Sequence, residues 1–449
     1  MDQLTAVSLF TCGGLGDLAV RAAGFELLVS NELHEERHAV FSQNFPTTRS
    51  LTGDIWELKS SIVAAARERL AGRDLDLLYA TPPCQGMSKN GRGKLLSAIR
   101  AGQKPPLDVR NRLIIPTMDV ITVLRPQIVV FENVPEMADT IICDEDGVTL
   151  PILDYIRRRL GPEYAGKAEV VEFADYGVPQ CRQRLISVFS RAARLHRWLD
   201  ENESLLPPRT HSCRPSNGRA PWTTVREAIG EFPPLDARTA ESARSQTLPF
   251  HAVPLLDAMK YWWVEHTPAE ASAFDNQCVA CRHAENPTHL ARRDEHGINR
   301  TVAQTPVYCG ACGALLPRPS VEHEGRRRLM KGFTSAYKRM SYDRPASALT
   351  RNLSYACSDN KLHPEQNRVL SLAEAFRLHT LDQFEYEWRA APHGKRVSDK
   401  VIRELIGESI PPAGFRVIID HLRQVYLGTA TSTWLEREAP LFAVAPTTS

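Results

Sequence analysis

Strand-like and helix-like runs alternate over the first ~190 residues, and this alternation leaves few architectures open. The runs 4–10 (LTAVSLF), 26–32 (ELLVSNE), 75–80 (LDLLYA) and 126–134 (PQIVVFENV) read as strands. Between them, 15–24, 34–45, 59–72 and 112–125 read as helices, the first stopped by Gly24 and the last carrying Pro116 near its start. A further helix is expected over 151–161, and two strands around a turn over 169–190. Sequential βα units of this kind build a parallel sheet with right-handed crossovers. An α/β fold follows, with binding residues at the carboxyl ends of the strands.

The alternation fades near Ser204. From there to Pro345, proline, arginine and glycine are frequent and periodicity is weak. The chain therefore divides into a first domain at 1–203, an irregular second domain at 204–345, a connecting segment at 346–395, helices at 396–428 broken by "IPP", and a loosely ordered tail at 429–449.

With 43% hydrophobic residues in 449, the chain can bury substantial cores. No run reaches the ~18 uninterrupted apolar residues of a membrane span. The start, MDQLTAVSLF, lacks the features of a signal peptide, so a cytoplasmic protein is expected. The ten cysteines are scattered except for two close pairs, unlike a secreted disulfide framework. Net charge is only +2, yet residues 207–350 hold 19 Lys+Arg against 14 Asp+Glu. That surplus marks the second domain as the place to look for a polyanion partner.

Five places carry candidate chemistry. The glycine-rich turn SLFTCGGLGD joins the first strand to a helix, where backbone N–H groups can approach a ligand. Glu32 closes the second strand and suits a ribose diol, and Asp54 follows a third candidate strand and can accept from an adenine amino group. Cys84 follows Pro82 and Pro83 at the next strand end. A free cysteine is more often buried filler than a nucleophile, but the prolines fix the backbone before it. Glu132 ends the strand QIVVF, where it is either a salt-bridge partner or a proton donor facing the same pocket. Arg182 and Arg184 stand two apart, which places both on one strand face, either as an exposed edge or as paired guanidiniums holding an oxygen.

Further along, Cys278 and Cys281 form one C-x-x-C pair, and Cys309 and Cys312 a second. Four thiols in two knuckles are the pattern of a closed, structural Zn²⁺ site, with His283 and His289 nearby as spares.

These groups match one reaction. A thiolate adds to carbon 6 of a pyrimidine, a carboxylic acid protonates near ring nitrogen 3, and carbon 5 then accepts a methyl group. In this order SLFTCGGLGD, SNE, GDI, PPCQGMS, FENV, QCRQR, RPASALTRN, HPEQNRVLSLAEAFRLHTL and IGESIPP span residues 8–412. Together they resemble the motif set of the DNA (cytosine-5)-methyltransferases, of bacterial restriction-modification type.

The resemblance implies a Rossmann-like, S-adenosylmethionine-dependent methyltransferase domain and a smaller target recognition domain containing the zinc site, with a DNA cleft between them. It implies Cys84 as nucleophile, Glu132 at the cytosine edge, and Arg182 and Arg184 near the flipped base. It assigns the cofactor to Phe10, Gly14, Leu15, Gly16, Glu32, Leu33, Asp54, Ile55 and Pro83, and the substrate to Gln85, Ser88, Asn133 and Gln180. The carboxyl-terminal helices should pack back on the first domain. Two departures stand out: Cys12 and Leu15 occupy usual glycine positions in the first motif, and Glu408 the usual asparagine position in the last.

The implied partner is double-stranded DNA, met by a monomer, with a separately acting restriction endonuclease left open. Relatives that methylate cytosine in tRNA share these motifs but usually have a short variable region. A non-catalytic DNA-binding module should have lost the nucleophile, the acid or an arginine, and all are present.

Overall fold

Five strands, β1 (Leu4–Leu9), β2 (Phe25–Glu32), β3 (Arg49–Thr52), β4 (Leu77–Ala80) and β5 (Ile128–Asn133), pair in parallel. The central strands β4 and β5 are buried at every residue because both faces of the sheet are covered there. In this computed structural model the described residues are 3–83, 109–215, 218–289, 291–293, 299–301, 305–330 and 335–430. Cys84, Gln85 and Ser88 lie outside them, as do residues 431–449 of the expected tail.

The expected helices appear as α1 (Leu15–Ala22), α2 (Glu35–Asn44), α3 (Ile55–Leu70), α4 (Ile114–Leu124) and α5 (Ile152–Leu160). Pro116 is the third residue of α4, where a missing N–H costs little.

The expectation of a parallel sheet needs one correction. β6 (Ala165–Glu172) and β7 (Gln183–Ser190) complete the sheet in the order β3-β2-β1-β4-β5-β7-β6, and β7 is antiparallel to both neighbours. The connection from β6 to β7 is a short turn through Phe173–Tyr176, far too short for a crossover helix, so the chain must reverse.

Strand alternation splits the core. Ala6, Ile128, Val130 and Ile186 face one layer, and Val7, Leu9, Val129 and Phe131 the other. After α6 (Ala193–Asn202), α7 (Val225–Ile229), α8 (Ala258–Glu265) and α9 (Leu372–Leu378), the chain returns in α10 (Asp399–Glu408) and α11 (Pro412–Leu427). α11 packs on α1, and Phe415 and Ile418 join the first layer's core.

A separate core gathers Leu235, Trp263, Phe274, Tyr337, Leu362 and Val369, so it draws on residues beyond 345. This region has little regular structure, and its carbonyls need other donors. Buried arginines supply them. Arg339 donates to the carbonyls of Thr267, Val264, His363 and Gln366 at 2.7–3.0 Å, and Arg318 to those of Asn276, Pro287 and Pro306 at 2.7–3.0 Å. Part of the basic surplus read from the sequence is therefore interior strutting.

Candidate active site

The glycine-rich turn leaves β1 with Phe10 and Cys12 at φ +62° and +53° and Gly14 at +84°. Cys12 thus holds a left-handed conformation that glycine adopts without strain, at the position where the first motif departs from pattern. Gly14 admits no side chain, because a Cβ would lie 2.5 Å from Phe45 and 2.8 Å from Phe41. At Gly16 a Cβ would meet the Tyr79 hydroxyl at 2.6 Å.

Glu32 ends β2 with both carboxylate oxygens already oriented. Oε2 accepts from the Cys12 N–H at 2.8 Å and Oε1 from the His34 N–H at 2.9 Å. Each oxygen keeps a free lone pair, which is the acceptor set for the two donating hydroxyls of a ribose diol. Asp54 caps α3 through Oδ1 on the Trp56 N–H at 3.0 Å and is otherwise open to solvent. Leu33 beside Glu32 is 56% exposed, an apolar face without a partner in the core. Phe10 is half-buried. These groups fit an adenosine cofactor. Leu15 and Ile55 are core side chains, so what they offer a ligand is backbone.

Glu132 and Asn133 end β5 and point to opposite faces. Glu132 is buried and its Oε1 lies 2.7 Å from Arg184 Nε. Burial pushes the carboxyl above its usual range, against the opposing pull of Arg184 and Arg182. Asn133 Nδ2 donates to the Pro82 carbonyl at 2.7 Å, and the Thr81 hydroxyl donates to the Phe10 carbonyl at 2.8 Å. The segment leading through Pro83 to Cys84 is thus tied to both the cofactor turn and the acid's strand.

Arg182 and Arg184 both pull on the Glu132 carboxylate but make different contacts. A two-residue strand at Gln180–Cys181 pairs with Ala346–Ser347, and β7 starts at Gln183, with Arg182 between them. Its guanidinium turns inward and donates to the carbonyls of Leu349 (2.8 Å), Gly407 (2.8 Å) and Ser409 (2.5 Å). Gln180 is buried as well. It accepts from the Leu349 N–H at 2.9 Å and donates to the Leu378 carbonyl at 3.2 Å. Gln180 and Arg182 hold the return strand and the end of α10, and only Arg184 reaches the acid.

Sequence reasoning missed Tyr386, whose hydroxyl donates to the Gly13 carbonyl at 2.6 Å, and His379, whose Nε2 lies 2.9 Å from Ser409 Oγ. Neither stands in a local pattern; both reach the site through tertiary packing.

The four cysteines converge. Cys278 Sγ lies 3.6 Å from Cys312 Sγ, and Cys281 Sγ lies 3.5 Å from Cys278 Sγ and 3.7 Å from Cys309 Sγ. A tetrahedron with sulfurs about 2.3 Å from its centre has edges of about 3.8 Å, so the cluster has the size of a four-thiolate metal site. Each knuckle turns through a left-handed residue just after its second cysteine, Arg282 at +61° and Gly313 at +70°. The spare histidines are not in the cluster. His289 stacks on Phe274, 4.6 Å between ring centroids.

A mostly parallel sheet with a glycine turn after β1, Glu32 at the end of β2, Asp54 after β3 and a buried acid at the end of β5 is the arrangement of an α/β enzyme with its site at the carboxyl ends of the strands. The profile of the C-5 cytosine-specific DNA methylase family matches residues 4–232, and the chain belongs to that family, whose enzymes depend on S-adenosylmethionine. It is 26% identical over 419 residues to the type II methyltransferase M1.HgaI of Avibacterium volantium, covering 91% of this chain and 95% of the relative. It is 22% identical to M.AgeI of Thalassovita gelatinovora, covering 94% and 99%. A prophage-encoded E. coli protein described as a DNA modification methyltransferase shares the fold, with a TM-score of 0.52 at 18% identity, covering 94% and 99%.

Proposed function

We propose that the enzyme methylates carbon 5 of a cytosine within a specific double-stranded DNA sequence, with Cys84 as the covalent nucleophile. The observation that carries this reading is the Glu132–Arg184 pair at 2.7 Å, buried at the end of β5 and linked through Asn133 to the segment before Cys84. Bound S-adenosylmethionine supplies an electrophilic methyl group; Glu32, Asp54, Leu33 and Phe10 are the residues to hold it.

The Cys84 sulfur forms a bond to cytosine carbon 6 as Glu132 gives a proton at ring nitrogen 3, so the 5,6 double bond becomes electron density at carbon 5. Arg184 orients Glu132 and neutralises its conjugate base. Carbon 5 then takes the methyl group that bound S-adenosylmethionine supplies, leaving S-adenosylhomocysteine; loss of the carbon 5 proton to water, with the nitrogen 3 proton returned to the Glu132 carboxylate, re-forms the double bond and expels the thiolate. A stacked base does not expose carbon 6 to a thiol, so the target cytosine must leave the duplex. The four cysteines hold a structural zinc ion that stabilises the irregular second domain, which reads the sequence. The relatives named type II methyltransferases support a restriction-modification setting, with any endonuclease acting separately.

Methylation-sensitive sequencing of DNA from cells expressing the protein tests the reading. Methylated carbon 5 at one short sequence, absent with Cys84→Ala, is expected. Unmodified DNA together with methylated tRNA would favour the RNA alternative.

A further inference from the structure

A two-stranded hairpin projects from the irregular second domain. Its strands, Ser320–His323 and Arg326–Leu329, pair antiparallel, with Val321 opposite Arg328 and His323 opposite Arg326. Glu324 and Gly325 turn the chain at φ +54° and +70°, the two left-handed residues that a tight hairpin turn requires. The base is fixed. Ser320 is buried, Leu329 and Met330 pack against the second core, and the Met330 N–H donates to the Pro319 carbonyl at 2.9 Å. Just before it, the fully buried Arg318 donates to the carbonyls of Asn276, Pro287 and Pro306, on the segments that flank the cysteine pairs. The tip is open to solvent, with the side chains of Glu322, His323 and Glu324 59–87% exposed.

Alternation gives the ribbon two unlike faces, and opposed residues share one. Ser320, Glu322, Arg327 and Leu329 make the first. Leu329 turns this face to the second core, and Arg327 Nη2 donates to Glu322 Oε2 at 3.4 Å. The second carries Val321, His323, Arg326 and Arg328. Arg326 and Arg328 are exposed, and neither meets a carboxylate among the described residues. Elsewhere in this domain Arg226, Arg238 and Lys260 are spent on Asp343, Glu265 and Asp257.

We propose that this hairpin enters the major groove of the target duplex, where Arg326 and Arg328 each read a guanine. The inference rests on the proposed action on double-stranded DNA and names the element that reads it. A two-stranded ribbon fits the width of that groove. Residues two apart on one strand stand about 7 Å apart, the length of about two base-pair steps. An arginine fork matches the paired O6 and N7 acceptors of guanine, which no other base edge presents. Contacts to phosphate alone would need no such mounting, since long side chains on any loop can follow the backbone. The bracing at Arg318 fixes the register in which two forks can address two bases.

The test supplies the full chain with S-adenosylmethionine and a library of duplexes randomised around a cytosine, and reads methylation by sequencing. The recognised sequence should hold two guanines two steps apart on one strand. Arg326→Ala and Arg328→Ala should each lower discrimination at one of these positions by about tenfold or more. The other positions should keep their preference, and S-adenosylmethionine affinity should stay within about twofold. A uniform drop across all sequences, with a shallower dependence on salt, would mean phosphate contacts and overturn the base-reading role. A recognised sequence without such guanines, or an unchanged preference in both variants, overturns it as well. Absence of methylation on every duplex by the unsubstituted enzyme would instead overturn the DNA reading on which the proposal rests.

Discussion

Asn133 donates from Nδ2 to the carbonyl of Pro82 at 2.7 Å, and its Oδ1 accepts the Val134 N–H at 2.9 Å. The strand that carries the acid and the segment that leads to the nucleophile are thus one hydrogen-bonded unit. Asn133→Asp removes the donor and sets a carboxylate against a carbonyl. Single-turnover methyl transfer should slow by tenfold or more, roughly, through lost positioning, while the affinity for S-adenosylmethionine stays near that of the unsubstituted protein. Parallel loss of both would show that the residue serves the fold alone.

Arg182 and Arg184 should separate by phenotype. Arg182→Ala leaves three buried carbonyls without their donor, and a loss of about 3 kcal/mol is expected in urea unfolding. Arg184→Lys retains a cation beside Glu132 but loses the planar fork, so turnover should fall with little change in the unfolding midpoint.

Asp17 gives a pH-dependent signature. It is 1% exposed, and neither carboxylate oxygen has a hydrogen-bond partner among the described residues. Burial raises its pKa from 3.8 to about 7, and nearby Ser8 and Arg21 offset only part of this. Between those values the folded chain holds a proton that the unfolded chain has released. Stability must therefore fall as pH rises through this window and level off above it, at a cost of about 4 kcal/mol. Asp17→Asn should raise the melting temperature much more at pH 8 than at pH 5; equal gains would contradict the assignment.

The legible parts of the molecule are those set by local pattern. Apolar runs placed β1, β2, β4 and β5, and glycine and carboxylate spacing placed the turn, Glu32 and Asp54, because those contacts stay within one or two βα units. The reversal of β7 was not legible as a sheet order, since a hairpin-like turn and a crossover differ in where the strand docks. Period-two spacing paired Arg182 with Arg184 but could not show that Arg182 spends its donors on the carbonyls of Leu349, Gly407 and Ser409, which lie far along the chain. Arg318 and Arg339 were counted in the basic surplus of residues 207–350. Nothing local distinguishes a solvated arginine from one whose donors meet four carbonyls on two distant segments.

The four-cysteine cluster predicts a graded response to metal removal. Chelation should abolish sequence-specific DNA binding, measured by filter binding, before it reduces S-adenosylmethionine binding, because the cysteines form their own small cluster with Leu316 and Ala314, which includes no residue of the glycine-rich turn. Simultaneous loss of both would contradict a local structural role.

The most direct test of covalent catalysis by Cys84 is trapping on duplex DNA containing 5-fluorocytosine, where the fluorine blocks the final elimination. The account predicts a protein–DNA adduct stable to denaturing electrophoresis, formed only with S-adenosylmethionine present and absent in Cys84→Ala. An adduct that persists in Cys84→Ala, or undiminished methylation of ordinary DNA by that variant, would contradict it.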